Sequence, residues 1–452
     1  MSAGAALALA WPYRTRAAGE PDVLVIGAGL AGLHAAWILG EAGLNVRVLE
    51  GSPRIGGRML TLDELPGRPE AGGLQVGSLY ARVLDTARRL DVGVEPDTRR
   101  PEFALHVRGE TLGVAAWPAS GANQLAEAER RLPPWALLGS YTRGRNPLAS
   151  LDDWMRPEHR GLDVPLDGFL RTQGASAEAL RLMEHNLNGN SLATLSTLGL
   201  MRSLAIFAAS AGGGQQFFIR GGSSRLPEAM ARVLPEEVLL GRVVTGIRSD
   251  ERGCEVQCAD GSRHRAQFVL TTIPYSVLRD VRIEPGLAGP QAEAVQGVQY
   301  TRITQVHLQA SRAYWEDDGL PASMWTDTGL GRLFAGAAYG GDGEHNVNVW
   351  VTGADADAFD RMDDAALFEH VRSEIERIRP STRGEFKLGR IVSWQKNPFN
   401  RGAYFHWGPG QVGRWADTFS RPHGRIHFAG EHTAQLMSGM EGAMESGERA
   451  AF

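Results

Sequence analysis

Three glycines recur at a fixed spacing near the N-terminal end of the chain. They are Gly27, Gly29 and Gly32, and they follow the short apolar run VLVI and precede a segment with helical apolar spacing. In a strand, turn and helix unit, the first glycine permits the turn, the second lets backbone approach a pyrophosphate, and the third lets helix pack on strand. Glu50 ends the next apolar segment, about where an acid would bind ribose hydroxyls. The pattern predicts a nucleotide at the helix N-terminus.

Two further glycine pairs and a C-terminal segment extend this pattern. The motif GSPRIGGRM contains Gly57 and Arg58, and the motif EAGGLQVGSLY contains Gly73. Both motifs are similar to phosphate-binding loops. Residues 426–450, IHFAGEHTAQLMSGMEGAMESGERA, predict a strand, a turn at Gly430 and a helix whose glycines admit a bulky ring against its N-terminus. The elements that position the chemistry are therefore strand-to-helix units at both ends of the chain.

Composition limits the class of protein and its partners. The 452 residues carry a net charge of -5 and 43% hydrophobic residues, which indicates a globular chain of about two domains without a nucleic-acid partner. No run of about 18 apolar residues predicts a membrane span. Cys254 and Cys258 would share one face of a strand about 13 Å apart, at about 3.3 Å per residue, so we expect neither a disulfide between them nor a metal site.

The first 20 residues do not continue any pattern of the folded chain. An apolar stretch is followed by the small residues Ala17, Ala18 and Gly19, which is similar to the apolar region and cleavage site of a secretory signal, although a basic start is missing. We therefore expect a periplasmic or secreted protein. The alternative is a disordered tail on a cytoplasmic protein.

The combination of motifs, in this order, resembles the flavin-containing amine oxidase family. The motifs are GAGLAGL, VLE, IGGRM, GGLQVG, SWQKNPFNRGAYFHWGPGQ and the C-terminal segment. The family includes monoamine, polyamine and L-amino acid oxidases. The resemblance implies an α/β fold, in which a discontinuous Rossmann-like FAD-binding domain carries an inserted α+β substrate-binding domain. The implied ranges are 21–105, 211–290 and 386–452 for the FAD domain, and 106–210 and 291–385 for the substrate domain.

The same resemblance assigns the FAD site residue by residue. The assigned residues are Gly27, Gly29, Gly32, Glu50, Gly57, Arg58, Gly73, Leu74, Val244, Trp394, Gly430, Glu431 and Met440. The backbone of Val244 would meet the adenine, and Trp394 would lie beside the flavin ring. The Met440 N–H, at a helix N-terminus, would stabilise negative charge at the flavin pyrimidine edge.

Departures from the family pattern carry information about the reaction. Ala403 stands where animal monoamine oxidases have the cysteine that attaches FAD, so we expect a non-covalent flavin. Tyr404 matches one tyrosine of the family's aromatic pair, but Gly439 stands at the other position. Trp407 or Phe405 could supply the missing face. Counting back from the tryptophan at 315, Gln305 occupies the position of the family's lysine near flavin N5.

The resemblance implies oxidation of a primary or secondary amine to an imine, which water hydrolyses to an aldehyde or ketone. Hydride would pass to flavin N5, with Gln305, Tyr404 and Trp394 as the catalytic residues. The electron acceptor would be oxygen or a cytochrome. The protein could form a homodimer. An L-amino acid oxidase is one alternative, and it needs an arginine such as Arg202 or Arg302 for the substrate carboxylate. A non-catalytic flavoprotein is the other. We expect the two histidines near the flavin segment, at 427 and 432, to be structural.

Overall fold

The computed structural model describes residues 19–98, 101–185, 187–211, 215–336 and 345–452. The predicted leader therefore lies outside the described residues except for its last two. The strands are β1 (Val23–Ile26), β2 (Val46–Leu49), β3 (Val76–Gly77), β4 (Val94–Pro96), β5 (Phe103–Val107), β6 (Glu110–Gly113), β7 (Gln216–Ile219), β8 (Val244–Asp250), β9 (Gly253–Cys258), β10 (Arg263–Ala266), β11 (Phe268–Thr271), β12 (Arg282–Glu284), β13 (Gln299–Tyr300), β14 (Ile303–Ala310), β15 (Ser323–Thr326), β16 (Arg332–Ala335), β17 (Asn346–Thr352), β18 (Phe386–Ser393), β19 (Phe405–His406) and β20 (Ile426–Phe428). The helices are α1 (Leu30–Glu41), α2 (Ala81–Arg89), α3 (Pro134–Thr142), α4 (Leu166–Thr172), α5 (Ala177–Glu184), α6 (Thr197–Ala211), α7 (Arg225–Arg232), α8 (Tyr275–Leu278), α9 (Gly289–Gly297), α10 (Trp315–Asp318), α11 (Gly353–Asp360), α12 (Asp364–Ile378), α13 (Gln411–Trp415) and α14 (Gly439–Ala451).

A four-stranded parallel sheet, in the order β2-β1-β11-β20, joins the two ends of the chain. The run VLVI of β1 is buried on both faces, because Val23 and Val25 pack with residues of α1 and α14 while Leu24 and Ile26 pack in a second cluster. Continuous apolar strands of this kind are typical of parallel sheets covered on both sides. The predicted α/β fold is confirmed.

A seven-stranded sheet, in the order β18-β14-β17-β16-β15-β5-β6, forms the second large layer. Successive side chains along each strand point to opposite faces of the sheet. Val306 and Val349 lie on the face that packs against α11 and α12. Gln305 pairs with Trp350 across β14 and β17, and Trp350 pairs with Arg332 across β17 and β16, so these three side chains share the opposite face.

The strand pairing bears on the predicted domain ranges. The four parallel strands all come from the ranges predicted for the FAD domain, and α3 to α6 come from the range predicted as helical substrate domain. Strand β18 (Phe386–Ser393), which opens the last predicted FAD range, pairs with β14 in the seven-stranded sheet. The division into two domains stays a prediction.

Three further observations concern the cysteines, membrane spans and metal sites. Cys254 and Cys258 both lie on one strand, β9, as expected, and both are free and buried. Across the described ranges, none of the helices has the length and apolar character to span a membrane, and no group of three histidine, cysteine or acidic residues there could hold a metal ion.

Candidate active site

The glycine loop after β1 has three different environments. Gly27 has φ +106°, and a Cβ there would lie 2.2 Å from Thr272 Oγ1. A Cβ at Gly32 would lie 1.9 Å from the Gly27 carbonyl oxygen, so helix α1 packs directly on the turn. Gly29 is different, because its Cβ would meet nothing nearer than Gly57 Cα, at 4.0 Å. The backbones of Gly29 and Gly57 thus face each other without intervening side chains, an arrangement that fits a pyrophosphate.

Glu50 is the acid placed beside this loop. Its carboxylate accepts hydrogen bonds from the N–H groups of Ala28 and Ser52, each at 2.7 Å, and the residue is 8% exposed. Burial raises the pKa of Glu50, while the two N–H donors oppose that rise. The carboxylate is therefore fixed at the carboxyl end of β2, next to the glycine turn, and its contact with a ribose stays a prediction.

Arg58 connects three predicted segments that are far apart in the sequence. Its Nη1 donates to the Ala403 carbonyl oxygen and to Glu431 Oε2, both at 3.0 Å. Glu431 belongs to the turn after β20, and Ala403 precedes Tyr404. The ion pair is mostly buried, since 22% of the Arg58 side chain and 11% of the Glu431 side chain are exposed. The GGR motif, the 403–404 segment and the C-terminal turn therefore meet at one place.

A carboxylate holds the loop that leads into α14. Glu445, in the second turn of α14, is buried and accepts hydrogen bonds from three consecutive backbone N–H groups. The donors are Gln435 at 2.8 Å, Leu436 at 3.0 Å and Met437 at 2.7 Å. Charge-assisted hydrogen bonds of this kind are stronger than neutral ones. They fix the approach to Gly439 and Met440, where α14 begins.

Arg202 holds the same loop from its other side. Its Nη2 donates to the carbonyl oxygens of Ala434, at 2.9 Å, and Met437, at 2.7 Å, and its guanidinium lies 4.4 Å from the Trp154 ring centre. Burial lowers the pKa of Arg202 to about 10, so the side chain remains a cation at neutral pH. This arginine is committed to the loop backbone, and that placement does not support its suggested contact with a substrate carboxylate.

Trp394 and Gln305 converge on one backbone carbonyl. The Trp394 Nε1–H donates to the Ala71 oxygen at 3.0 Å, and the Gln305 Nε2–H donates to the same oxygen at 2.9 Å. Ala71 lies two residues before Gly73, where a Cβ would lie 3.3 Å from Met440 Sδ. Four residues predicted from the sequence to surround the flavin are thus brought together. Leu74 follows Gly73 and is half-buried.

A buried polar group fixes the orientation of Gln305, which is 1% exposed. His307 Nε2 lies 2.9 Å from Gln305 Oε1, and Asn348 Nδ2 lies 3.4 Å from the same oxygen. Burial lowers the pKa of His307 to about 3, so the ring is neutral. Because the Gln305 amide nitrogen donates to Ala71, its oxygen accepts, and His307 therefore carries its proton on Nε2.

Sequence reasoning missed His307 and Asn348. Their only signal is the two-residue spacing from Gln305 to His307, which places both on one face of β14. Asn348 could not be found, because the pairing of β14 with β17 is not visible in a single sequence.

Tyr404 lies beside the short segment that links β13 to β14. Its carbonyl oxygen accepts from the Thr301 N–H at 2.8 Å. Burial raises the pKa of the Tyr404 hydroxyl to about 12, and the nearby Arg332 guanidinium opposes the rise. The phenol is therefore neutral at physiological pH. Arg332, which the sequence did not single out, lies over the rings of Phe334 and Trp350, at 5.6 Å and 5.5 Å, and Nη2 donates to Asn188 Oδ1 at 2.8 Å.

The remaining predicted residues have other surroundings. Trp407 and Phe405 pack in a buried aromatic cluster, 4.8 Å apart and each near Phe419, so the structure favours a packing role over a substrate wall for both. Val244 starts β8 and packs in the same buried cluster. His432 is buried 4.4 Å from the Tyr275 ring, and neither of its ring nitrogens has a partner among the described residues. His427 lies 5.8 Å from the Phe268 ring.

Comparison with known proteins identifies the family of the chain. The sequence model of the family described as flavin containing amine oxidoreductase matches residues 30–451. The putative L-amino-acid oxidase YobN of Bacillus subtilis (strain 168) is 25% identical, over 95% of this chain and 94% of its own. The flavin-containing amine oxidase A of Bos taurus is also 25% identical, over 95% of this chain and 84% of its own.

The fold likewise matches a solved structure. The cyclohexylamine oxidase from Brevibacterium oxydans IH-35A superimposes with a TM-score of 0.78 at 21% identity, over 96% of this chain and 98% of that one. FAD is accordingly the cofactor, and the open backbone at Gly29 and Gly57, the fixed Glu50 carboxylate and the N-terminus of α14 fit it. The chain belongs to the family of flavin-containing amine oxidoreductases.

Proposed function

We propose that this protein oxidises a primary or secondary amine to an imine, which water then hydrolyses to an aldehyde or ketone. The observation that carries the proposal is the convergence of Gln305 and Trp394 on the Ala71 carbonyl, beside Gly73 and Met440. Bound FAD supplies a hydride acceptor, its N5 atom, to the substrate C–H bond. The protein's contribution is then geometric, because it must hold the amine and exclude water.

The residues that would hold FAD lie in three groups. The backbones of Gly27, Gly29 and Gly57 would bind the phosphates, and the Glu50 carboxylate would bind the ribose. The Met440 N–H, in the first turn of α14, would lie at the pyrimidine edge, where the helix N-terminus favours negative charge. With alanine at 403, the chain offers no thiol at that position to attach the flavin, so we propose a non-covalent cofactor.

Two side chains would act on the amine and its surroundings, and a third holds one of them in place. Tyr404 is a neutral aromatic group that excludes water, and an amine in a dry site favours its uncharged form, because burial lowers the pKa of an ammonium. Gln305 presents an amide that His307 holds in one orientation. His307 is neutral and directs its proton at Gln305, so it does not serve as a general base. Loss of hydride from a neutral amine requires none.

A second candidate function is oxidation of an L-amino acid, and Arg332 is the observation that favours it. Its guanidinium is close enough to affect the pKa of Tyr404, and it lies on the same sheet face as Gln305. A guanidinium binds a carboxylate through two parallel hydrogen bonds. The two arginines first considered are engaged elsewhere, because Arg202 binds backbone carbonyls and Arg302 pairs with Asp357 at 3.1 Å.

Anaerobic titration of the flavoprotein tests both functions. The panel contains apolar monoamines, a diamine and L-amino acids, and the measurement is loss of the oxidised flavin absorbance. Reduction by monoamines supports the first proposal. Reduction by L-amino acids alone, lost in Arg332→Met, supports the second and contradicts the first. If neither class reduces a flavin that dithionite reduces readily, the non-catalytic alternative is supported and both proposals fail.

A further inference from the structure

Tyr80 fills the space that two glycines leave beside the start of α14. A Cβ at Gly439 would lie 3.3 Å from the Tyr80 hydroxyl oxygen, and a Cβ at Gly77 would lie 3.3 Å from its ring carbons Cδ1 and Cε1. The phenol thus extends from the backbone of Gly77 to the backbone of Gly439. Any larger side chain at either position would compete with it for space.

The hydroxyl of Tyr80 forms no hydrogen bond with any residue in the described ranges, and Tyr80 itself is half-buried. Its acidic neighbour is already engaged, because the Glu441 carboxylate accepts from the N–H groups of Arg82 and Val83 and from Arg82 Nη1, each at 3.1 Å. Burial, together with the Glu441 charge, raises the pKa of Tyr80 to about 12, so the phenol stays neutral.

This position adjoins the site already described. Gly439 precedes Met440, whose Sδ lies 3.3 Å from a Cβ at Gly73. Met440 and Gly73 are also the residues beside the point where Trp394 and Gln305 converge. The Tyr80 ring therefore lies at the rim of the candidate flavin site, beside the first residue of α14.

We infer that Tyr80 is a substrate-binding residue, whose ring forms one apolar wall of the amine site against the open backbone of Gly439. The substrate class that fits is an apolar monoamine with a ring or a branched body, since the wall offers an aromatic face and a neutral hydroxyl rather than a charge. The inference rests on the proposed amine oxidation and adds to it the residue that selects the substrate body.

Stopped-flow reduction of the holoenzyme under anaerobic conditions tests the inference, with benzylamine and propylamine as probes. We expect Tyr80→Ala to raise the Kd of benzylamine by about tenfold or more and that of propylamine much less, because only the larger amine loses apolar contact. FAD occupancy should stay at the wild-type value. Tyr80→Phe keeps the ring and should retain most of the benzylamine affinity.

Tyr314→Phe is the matched control, because this tyrosine is bonded to the Ala322 carbonyl at 3.0 Å and packs in the cluster on the opposite face of the seven-stranded sheet. It should bind both amines as the wild type does. An unchanged benzylamine Kd in Tyr80→Ala would overturn the inference, as would equal losses for both amines accompanied by loss of FAD.

Failure of the proposed function gives a different result. If no amine reduces the wild-type flavin, the proposed oxidation fails, and the perturbation of the oxidised flavin spectrum by benzylamine becomes the readout for Tyr80. That perturbation is expected in the wild type and in Tyr80→Phe but not in Tyr80→Ala. Its absence from the wild type, or its persistence in Tyr80→Ala, contradicts the inference.

Discussion

Replacing Arg202 by methionine tests the hydrogen bonds that fix the loop before α14. Arg202 donates to the carbonyl oxygens of Ala434 and Met437, while Glu445 accepts from the N–H groups of the same loop. Methionine fills similar volume but provides no donor. We expect the loop to lose its fixed path toward Gly439, and FAD to bind more weakly because it must restore that path.

The size of the effect follows from the contacts that are lost. Two hydrogen bonds from a charged donor contribute about 1.5–3 kcal/mol each, and a desolvated cation over an aromatic ring adds about 2 kcal/mol. Removing the buried Arg202 cation recovers part of its desolvation cost, but it also leaves the buried Glu445 charge less compensated. Removing one partner of a buried charge pair costs about 3–5 kcal/mol of stability in all. If about 3 kcal/mol of this must be restored on cofactor binding, FAD affinity falls by about 100-fold.

Titration of the apoprotein with FAD, followed by fluorescence quenching, measures this loss directly. Arg202→Lys is the informative partner variant, because it keeps the charge but cannot reach both carbonyls with one planar group, and it should show an intermediate loss. Arg302→Met, which removes a half-exposed pair with Asp357, should leave FAD affinity unchanged. Wild-type affinity in Arg202→Met would refute the role assigned to the loop.

Four further predictions concern the cofactor and the reaction. Acid or heat denaturation should release intact FAD, because Ala403 cannot form a thioether, and flavin that stays on the denatured chain would contradict this. Glu50→Gln and Arg58→Ala should each weaken FAD binding by about tenfold or more through lost charge-assisted hydrogen bonds, and full FAD occupancy in both variants would count against the glycine-motif assignment. Gln305→Lys should speed reoxidation by oxygen, since a cation in a dry site stabilises developing negative charge. Because burial lowers a lysine pKa, this gain should be present at low pH and fade as pH rises through that pKa. Rapid reoxidation of the wild type, unchanged in Gln305→Lys, would contradict this prediction and argue against a cytochrome acceptor. Tyr404→Ala should slow reduction by amine while FAD remains bound, and a parallel loss of FAD would show that the ring supports the cofactor instead.

The sequence was sufficient for the parts of the fold that depend on local pattern. The run VLVI and the glycines after it predicted β1, the turn and α1, because these residue types constrain the backbone over a few positions. An ungapped count back from the tryptophan at 315 assigns Gln305 to the position of the family's lysine. The register of β14 brings its side chain to the Ala71 carbonyl beside Trp394.

Side-chain partners that depend on long-range pairing could not be predicted. Arg202 was considered for a substrate carboxylate because sequence gives a residue type without its distances, and only the structure shows it bonded to a loop more than 230 residues away. The same holds for Asn348, which reaches Gln305 through strand pairing, and for Tyr80, whose place beside Gly439 follows from the packing of α2 near α14.

Anaerobic reduction with benzylamine, followed by assay of the carbonyl product, tests whether the protein oxidises amines through its flavin. We expect benzylamine to bleach the flavin at a rate that rises with its concentration, and one benzaldehyde to form for each FAD reduced. A flavin that dithionite reduces fully, but that neither benzylamine nor any other amine reduces, would contradict it.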